Sequence, residues 1–475
     1  MPPNISCSLG KRLNKLTPNK LVALALCVLV FALFFLPPRD PDLGWQLRCG
    51  QEILLGKGFC SQNHFSALLP NYSWPNHHWL YQIMAFSTYQ AGGFWGLTVL
   101  NAVVMSLGFI VFYLAIKGHS WEKAAAFLFS VFVGWGTFGL GLRSQELGVV
   151  YFCLMLLIVA KASERPRLKL LLPLVMLVWA NSHGSFTLGL VLIAFFTPVM
   201  LVPAILATLI NPHGFQIYQE VWRHFAGVDL SQLIAEWTPP VPGVFALIAL
   251  FSCWLAIYFL TVGKTNRLRN ALLIGAFALL ALKANRHVPY VFLLAVFLIL
   301  QQKIAGDFSA GSEKIRRAVT VLACFAILMY SSYLLHGRYS LAARQNGSVE
   351  SYCLTSWLSY PCEAIDYLRE MNEGGIIYNR YEWGGYLIWQ LPDYKVFVDG
   401  RMPAWPTPSG KSPYTIYLET LQNQPGWQDT LKEYNVSWLL ISPGTFMDLL
   451  IGDGPEEYGY TEVKRGNQYV LYKRL

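Results

Sequence analysis

Charge is what this chain has little of. Only 13% of its 475 residues are charged, where an average soluble domain is about one quarter charged. A water-facing surface of that size cannot be wetted by so few ions. With 54% apolar residues, disorder, collagen and coiled coil are excluded as well. Nine cysteines in a chain this long exclude a small disulfide scaffold. The net charge of +9 comes without any polybasic groove interleaved with aromatic residues, which argues against a nucleic-acid partner. No internal repeat is visible, which argues against the transporters built from inverted repeats.

The charges that are present separate sharply. Residues 1–339 carry a net +14 and residues 340–475 a net −5. A long apolar, basic part is therefore followed by a shorter, mildly acidic part that reads as a soluble domain. Apolar runs occur at 21–37, 96–116, 124–142, 147–161, 168–181, 185–198, 199–211, 243–262, 270–284, 288–302 and 318–336. Since a spanning helix takes about 20 apolar residues, fewer where it is short or buried in protein, the pattern predicts an all-α bundle of about 11 membrane helices. The first run follows the basic segment 1–20 and ends in Pro37-Pro38-Arg39-Asp40 without a small-residue cleavage site, so it reads as a retained anchor.

Lys and Arg bias then gives an orientation. With the N-terminus in the cytoplasm, 17 of the 25 basic residues before position 340 lie on the inner side, and eleven spans leave residues 340–475 outside. The expected location is a plasma (inner) membrane. The outer face then receives Asp40, Asp42, Glu52, Glu146, Glu220, Asp229 and Glu236, together with Arg143, Arg286, Asn181, His183, His77 and His78. Polar groups at the ends of apolar spans are costly unless paired or facing a cavity, so function is expected on the outer face. Cysteine placement agrees. Cys7 falls inside the cell and Cys27, Cys153, Cys253 and Cys324 fall in spans, leaving the local outer pairs Cys49/Cys60 and Cys353/Cys362 as candidate bridges.

The first outer loop, 39–95, is too long for a mere connector. It opens Asp40-Pro41-Asp42 with Trp45 and Arg48 close behind and reaches Trp74-Pro75-Asn76-His77-His78-Trp79-Leu80. Two carboxylates one residue apart can supply a general base or, with His77 or His78 as a further ligand, hold a divalent cation such as Mg or Mn; a solvated Asp-Pro turn is the plainer alternative. Further polar clusters close other spans: Arg143-Ser144-Gln145, Trp179-Ala180-Asn181-Ser182-His183-Gly184, Asn211-Pro212-His213-Gly214, Glu236-Trp237 and Lys283-Ala284-Asn285-Arg286-His287. Each alone reads as a cap, a turn or a snorkelling cation. Together on one face they suggest a cationic pocket for a lipid-linked phosphate. The 340–475 segment reads as α/β, with strands near 374–379, 395–399, 436–441 and 469–472, a short helix at Trp383-Gly384-Gly385-Tyr386, and Asp399-Gly400-Arg401 at a strand end.

In the order and shared outer placement of these motifs the chain resembles GT-C-type integral-membrane glycosyltransferases. More closely, it resembles a group of bacterial multi-spanning proteins of that kind. The resemblance implies a sugar donor carried on a polyprenyl phosphate, a glycan, lipid or protein acceptor, and an acidic residue of the first outer loop as catalyst. On this chain that acid is Asp42 or Asp40. Asp42 is favoured because its spacing to Arg48 is similar to that at the start of the catalytic loop in oligosaccharyltransferase subunits. Arg143, Arg286, Lys283 and His287 are then expected to meet the donor phosphate. Arg48, Trp45, His77, His78, Gln145, Asn181, His183, Glu236, Trp383, Tyr386, Asp399 and Arg401 are expected to line the substrate site. Trp383-Gly384-Gly385-Tyr386 is loosely similar to the acceptor motif of those subunits, but with its acid displaced to Glu382. A non-catalytic binding platform for lipid-linked sugars is the alternative of a different class.

Overall fold

The computed structural model describes residues 18–227, 230–232, 234–263, 265–302, 313–349, 352–353 and 359–475. Cys7 and Asp229 lie outside the described residues. The apolar part folds into helices α1 (Pro18–Phe34), α2 (Leu43–Leu54), α3 (Trp79–Ala115), α4 (Ser120–Phe138), α5 (Ser144–Ala162), α6 (Leu172–Ala180), α7 (Phe186–Phe196), α8 (Leu201–Thr208), α9 (Gln216–Trp222), α10 (Pro242–Thr261), α11 (Arg267–Lys283), α12 (Val288–Gln301) and α13 (Glu313–Asn346).

Each of the eleven apolar runs falls on one of these helices, but their lengths differ. Among the described residues four helical stretches, Trp79–Ala115, Ser144–Ala162, Ala235–Thr261 and Ala318–Asn346, are long and apolar enough to cross a membrane. By contrast α6, α7 and α8 have 9, 11 and 8 residues. At about 1.5 Å rise per residue they reach roughly half of a hydrocarbon core about 30 Å thick. Their ends therefore fall inside the bundle, where protein must satisfy the free backbone groups. Asn181 does this: its side-chain amide donates to Leu177 O of α6 at 2.8 Å and to Ile210 O beyond α8 at 3.0 Å.

The helices bury one apolar core, from Val22 and Phe34 through Phe109, Phe152 and Trp179 to Phe277 and Leu298. On the outside of α10 and α13, Leu247, Leu250, Leu322 and Phe325 are exposed. A band of large exposed apolar side chains on consecutive turns is a lipid-facing surface, and the protein is a multi-pass membrane protein.

The C-terminal segment contributes α14 (Cys362–Met371), β1 (Gly375–Asn379), α15 (Gly384–Gln390), β2 (Tyr394–Val396), α16 (Pro413–Leu421), α17 (Trp427–Glu433), β3 (Val436–Ile441), α18 (Phe446–Gly452), β4 (Tyr460–Arg465) and β5 (Val470–Arg474). The sheet order is β2-β1-β3-β5-β4. β1 runs parallel to β2 and β3, while β5 runs antiparallel to β3 and β4. Strand β4, Tyr-Thr-Glu-Val-Lys-Arg, is absent from the sequence expectation because it is a half-exposed edge whose side chains are mostly polar. The strand expected at 395–399 is shorter, ending at Val396.

Loop 39–95 is not an irregular connector. It contains α2, and its end belongs to α3, which begins at Trp79 and is broken at Gly93 (φ 56°, ψ −147°) before entering its apolar stretch. The loop also pairs with the C-terminal sheet. Ala67 N donates to Val396 O at 2.8 Å and Val396 N to Phe65 O at 3.0 Å, so residues 65–67 cover the free edge of β2. Leu43, Trp45, Leu68 and Trp74 of the loop share one hydrophobic core with Tyr378, Trp383, Phe397 and Trp405. Loop and C-terminal domain are thus one packed unit on top of the helices.

Candidate active site

The acidic turn sits where that unit meets the helices. Asp42 occupies the N-cap of α2, and its backbone N–H donates to Asp40 Oδ1 at 3.3 Å. Leu43 N donates to Asp40 O at 3.1 Å and Gln46 N to Asp42 O at 3.2 Å, which fixes both carboxylates on the first turn of the helix. Asp40 is 4% exposed and faces Arg143, whose Nε lies 3.4 Å from its Oδ1. The Arg143 Nη1 donates to Glu236 Oε2 at 3.1 Å, and the Gln145 amide reaches both Glu236 oxygens at 3.1 and 3.0 Å. The Arg-Ser-Gln and Glu-Trp clusters, 91 to 93 residues apart, therefore meet as one network.

Asp42 has no ion pair among the described residues. Burial pushes its carboxyl up to about 7, and the charges of Asp40 and Asp399 add to that, against partial relief from Trp45 and Arg143. Burial also raises the Asp40 carboxyl, with Arg143 pulling it back. Tyr381, Tyr360 and Tyr81 surround the turn; burial raises each hydroxyl well above its ordinary value, and the Asp42 charge adds to the rise. With 25 tyrosines in the chain, nothing in the sequence singled these out.

The two glycine motifs of the C-terminal domain form the other wall. A Cβ on Gly400 would lie 1.7 Å from Asp42 Oδ1, and one on Gly44 would lie 2.1 Å from Gly385 O. Only glycine permits these approaches. The Gly384-Gly385 step is thus close packing that brings the start of α15 onto the start of α2, and Gly400 gives the Asp42 carboxylate its place. Trp383 is fully buried in the core and Tyr386 stacks on Tyr360 at 4.1 Å.

The other expected residues make contacts of their own around the turn and along the loop. Asp399 and Arg401 form a buried pair, Oδ1 to Nε 2.7 Å and Oδ2 to Nη2 2.8 Å, and the same Nη2 reaches Asn63 Oδ1 at 3.1 Å and Ser66 Oγ at 3.3 Å. The pair clamps the loop to the sheet. Arg48 lies along α2 on Gln51 and Glu52. Trp45 packs edge-on against Trp74 at 5.9 Å. Lys283 donates to Phe225 O and sits 3.6 Å over the Phe225 ring.

A second cluster adjoins the acidic one on the helix side. The His77 and His78 rings are 4.1 Å apart, His78 is 5.6 Å from His183, and Trp79 Nε1 donates to Asn181 Oδ1 at 2.7 Å. Burial lowers His77 to about 4 and His78 and His183 well below the usual histidine range, so all three are neutral at pH 7. The Arg286 guanidinium lies 4.5 Å over the Trp237 ring, next to Glu236 in sequence, and has no ion pair among the described residues. His287 packs edge-on to the same ring at 6.4 Å. Glu220, Arg223 and His224 close this side; the Glu220 carboxylate holds Arg223 at 2.6 Å and His224 at 3.4 Å. Cys49 is bonded to Cys60 and Cys353 to Cys362.

Among the described residues no three His, Cys, Asp or Glu side chains are grouped to hold an ion, and Asp40 is committed to Arg143 and to the Asp42 N–H.

The bundle, with loop 39–95 packed against an α/β domain over an acidic turn, has the GT-C-type fold of the solved structures it is similar to. No protein-family model and no curated protein sequence matches it. Among solved structures, the Archaeoglobus fulgidus oligosaccharyltransferase tethered to an acceptor peptide is similar at a TM-score of 0.52 with 12% identity, over 89% of this chain and 68% of that one. The same enzyme, AglB, in complex with an inhibitory peptide and a dolichol-phosphate, gives 0.52 with 11% identity over 89% and 69%. ArnT from Cupriavidus metallidurans bound to undecaprenyl phosphate gives 0.49 with 14% identity over 96% and 97%. At such identities the likeness is one of fold.

Proposed function

We propose that the protein is a glycosyltransferase that moves a sugar from a polyprenyl-phosphate donor to an acceptor hydroxyl at the outer face of the plasma membrane. Its N-terminus is cytoplasmic and its C-terminal domain extracytoplasmic. The observation that carries the reading is Asp42: an unpaired carboxyl held at about 7, at the seam between membrane helices and outer domain. General-base catalysis is most effective when the pKa lies near the working pH.

In the step, the acceptor oxygen attacks the anomeric carbon while Asp42 takes its proton. The bond from that carbon to the phosphate oxygen breaks, and polyprenyl phosphate leaves with the electron pair. Asp40 does not act as the base, because Arg143 already balances it; it positions Asp42 through the backbone bond. Arg143 is shared between Asp40 and Glu236, so the larger share of the leaving charge falls to Arg286, with the neutral histidines His77, His78 and His183 as hydrogen-bond donors. The binding of a dolichol-phosphate by the archaeal enzyme of like fold supports a lipid-phosphate donor. The reading is tested with Asp40→Asn and Asp42→Asn, each assayed in membranes supplied with labelled polyprenyl-phosphate sugar. Loss of transfer in Asp42→Asn is expected, and full transfer by that variant would overturn it.

A further inference from the structure

Open α/β sheets bind ligands outside the carboxyl ends of parallel strands, where successive connections leave to opposite sides. In the C-terminal sheet that place lies between β1 and β3. The chain passes from β1 to its neighbour β2 on one side, then crosses to β3 on the other. A cleft of about 230 Å³ opens there. Its walls come from the residues that directly follow the two strands, Arg380, Tyr381 and Glu382 after β1 and Ser442 after β3, with Tyr414 and Leu418 of α16 above them.

The chemistry of this cleft is specific. Arg380 Nε donates to Glu382 Oε2 at 2.8 Å and its Nη1 reaches Ser442 Oγ at 3.4 Å, with the Arg380 and Glu382 side chains each 38% exposed. Arg380 therefore keeps further N–H donors and Glu382 further acceptor sites open to a ligand. The Tyr381 and Tyr414 rings meet edge to face at 4.6 Å, and Tyr414 is only half-buried. An aromatic ring beside a paired donor and acceptor matches a sugar, whose ring has an apolar C–H face and a rim of hydroxyls. Free phosphate is disfavoured, since Glu382 already neutralises Arg380. A peptide added as an extra strand is disfavoured because residues 65–67 occupy the β2 edge. The volume is below the roughly 300–1,000 Å³ of drug-sized pockets, which suits one ring.

We propose that this cleft is a carbohydrate subsite, in which a pyranose ring lies against Tyr414 and its hydroxyls bond Arg380 and Glu382. Tyr381 connects it to the active site: its ring faces Tyr414, and its hydroxyl lies within the field of Asp42 and Asp399. In that arrangement the cleft holds part of the acceptor glycan beside the active site. That link to catalysis rests on the function proposed above, whereas binding itself does not.

The test uses the full-length protein in lipid nanodiscs and saturation-transfer NMR with maltotriose, chitotriose and mannotriose, and with a hexapeptide containing Asn-Xaa-Thr. At least one trisaccharide is expected to bind with Kd on the order of 1 mM. Tyr414→Ala and Leu418→Trp, the latter filling the cleft, are each expected to weaken it tenfold or more, while Asp42→Asn binds as wild type. Absence of binding by all three sugars overturns the subsite, as does binding unchanged in both cleft variants or binding of the peptide alone. Sugar binding that depends on Tyr414 alongside normal transfer by Asp42→Asn would leave the subsite standing and sink the catalytic reading instead.

Discussion

Replacing Asp42 with asparagine keeps the side chain's shape and removes its ionisation, and the two effects have opposite sign. In the folded protein the carboxyl is held at about 7, against about 3.9 in an unfolded chain. Below about pH 4 both states carry the proton and the group costs nothing. As pH rises, the unfolded chain ionises first, so stability falls until the folded carboxyl also ionises near pH 7. Three pH units correspond to about 4 kcal/mol, which solvent screening of a half-buried group reduces to about 1–3 kcal/mol. Asp42→Asn escapes this cost, so it should match wild type in thermal unfolding at pH 4 and unfold at higher temperature at pH 8. Catalysis should move the other way, with transfer falling by about 10²–10⁴. The wild-type rate should climb with pH to a plateau above about 7, as Asp42 loses its proton. Initial rates in proteoliposomes across pH 5–9, with thermal unfolding at pH 4 and 8, give both readouts. A variant that is less stable at pH 8, or that transfers within threefold of wild type, refutes the argument.

Gly400→Ala places a methyl group on the Asp42 carboxylate, so transfer should fall at least tenfold while donor binding, measured with a labelled polyprenyl phosphate, stays within threefold. Arg286→Gln should weaken donor binding tenfold or more, whereas Lys283→Gln should leave it unchanged because Lys283 is turned onto Phe225; equal effects of the two would remove Arg286 from the phosphate site. Arg401→Ala leaves the buried Asp399 unpaired, and breaking such a pair costs about 3–5 kcal/mol. Protease cleavage near residues 61–66 should then rise sharply, and an unchanged cleavage pattern would mean the clamp does not hold the loop.

Much of the candidate site was legible as a set of motifs, each weak alone. Asp40, Asp42, Arg143, Gln145, Glu236, Arg286 and the three histidines stand out because a polar residue at the end of an apolar run needs a reason. Their partners were not legible. That Arg143 is balanced by two carboxylates while Asp42 has none follows from contacts between residues about 100 positions apart. Asp399 and Arg401 look as reactive in sequence as Asp42 does, yet their side chains are fully buried on each other. The tyrosines around Asp42 are as apolar as they are polar, so their pattern matches any packed core. The short helices α6 to α8 have the hydropathy of spans, and only their ends in space set their length.

By itself the sequence determined that this is a membrane protein with an acidic C-terminal domain, because burying apolar runs and excluding charge are local, additive demands. It also placed the polar residues at the ends of the apolar runs. Only the tertiary structure decided which of the two acids is paired with an arginine. Ionisation depends on what surrounds a carboxyl, and here the surroundings are an arginine three helices along the chain and a glycine more than 350 residues along it.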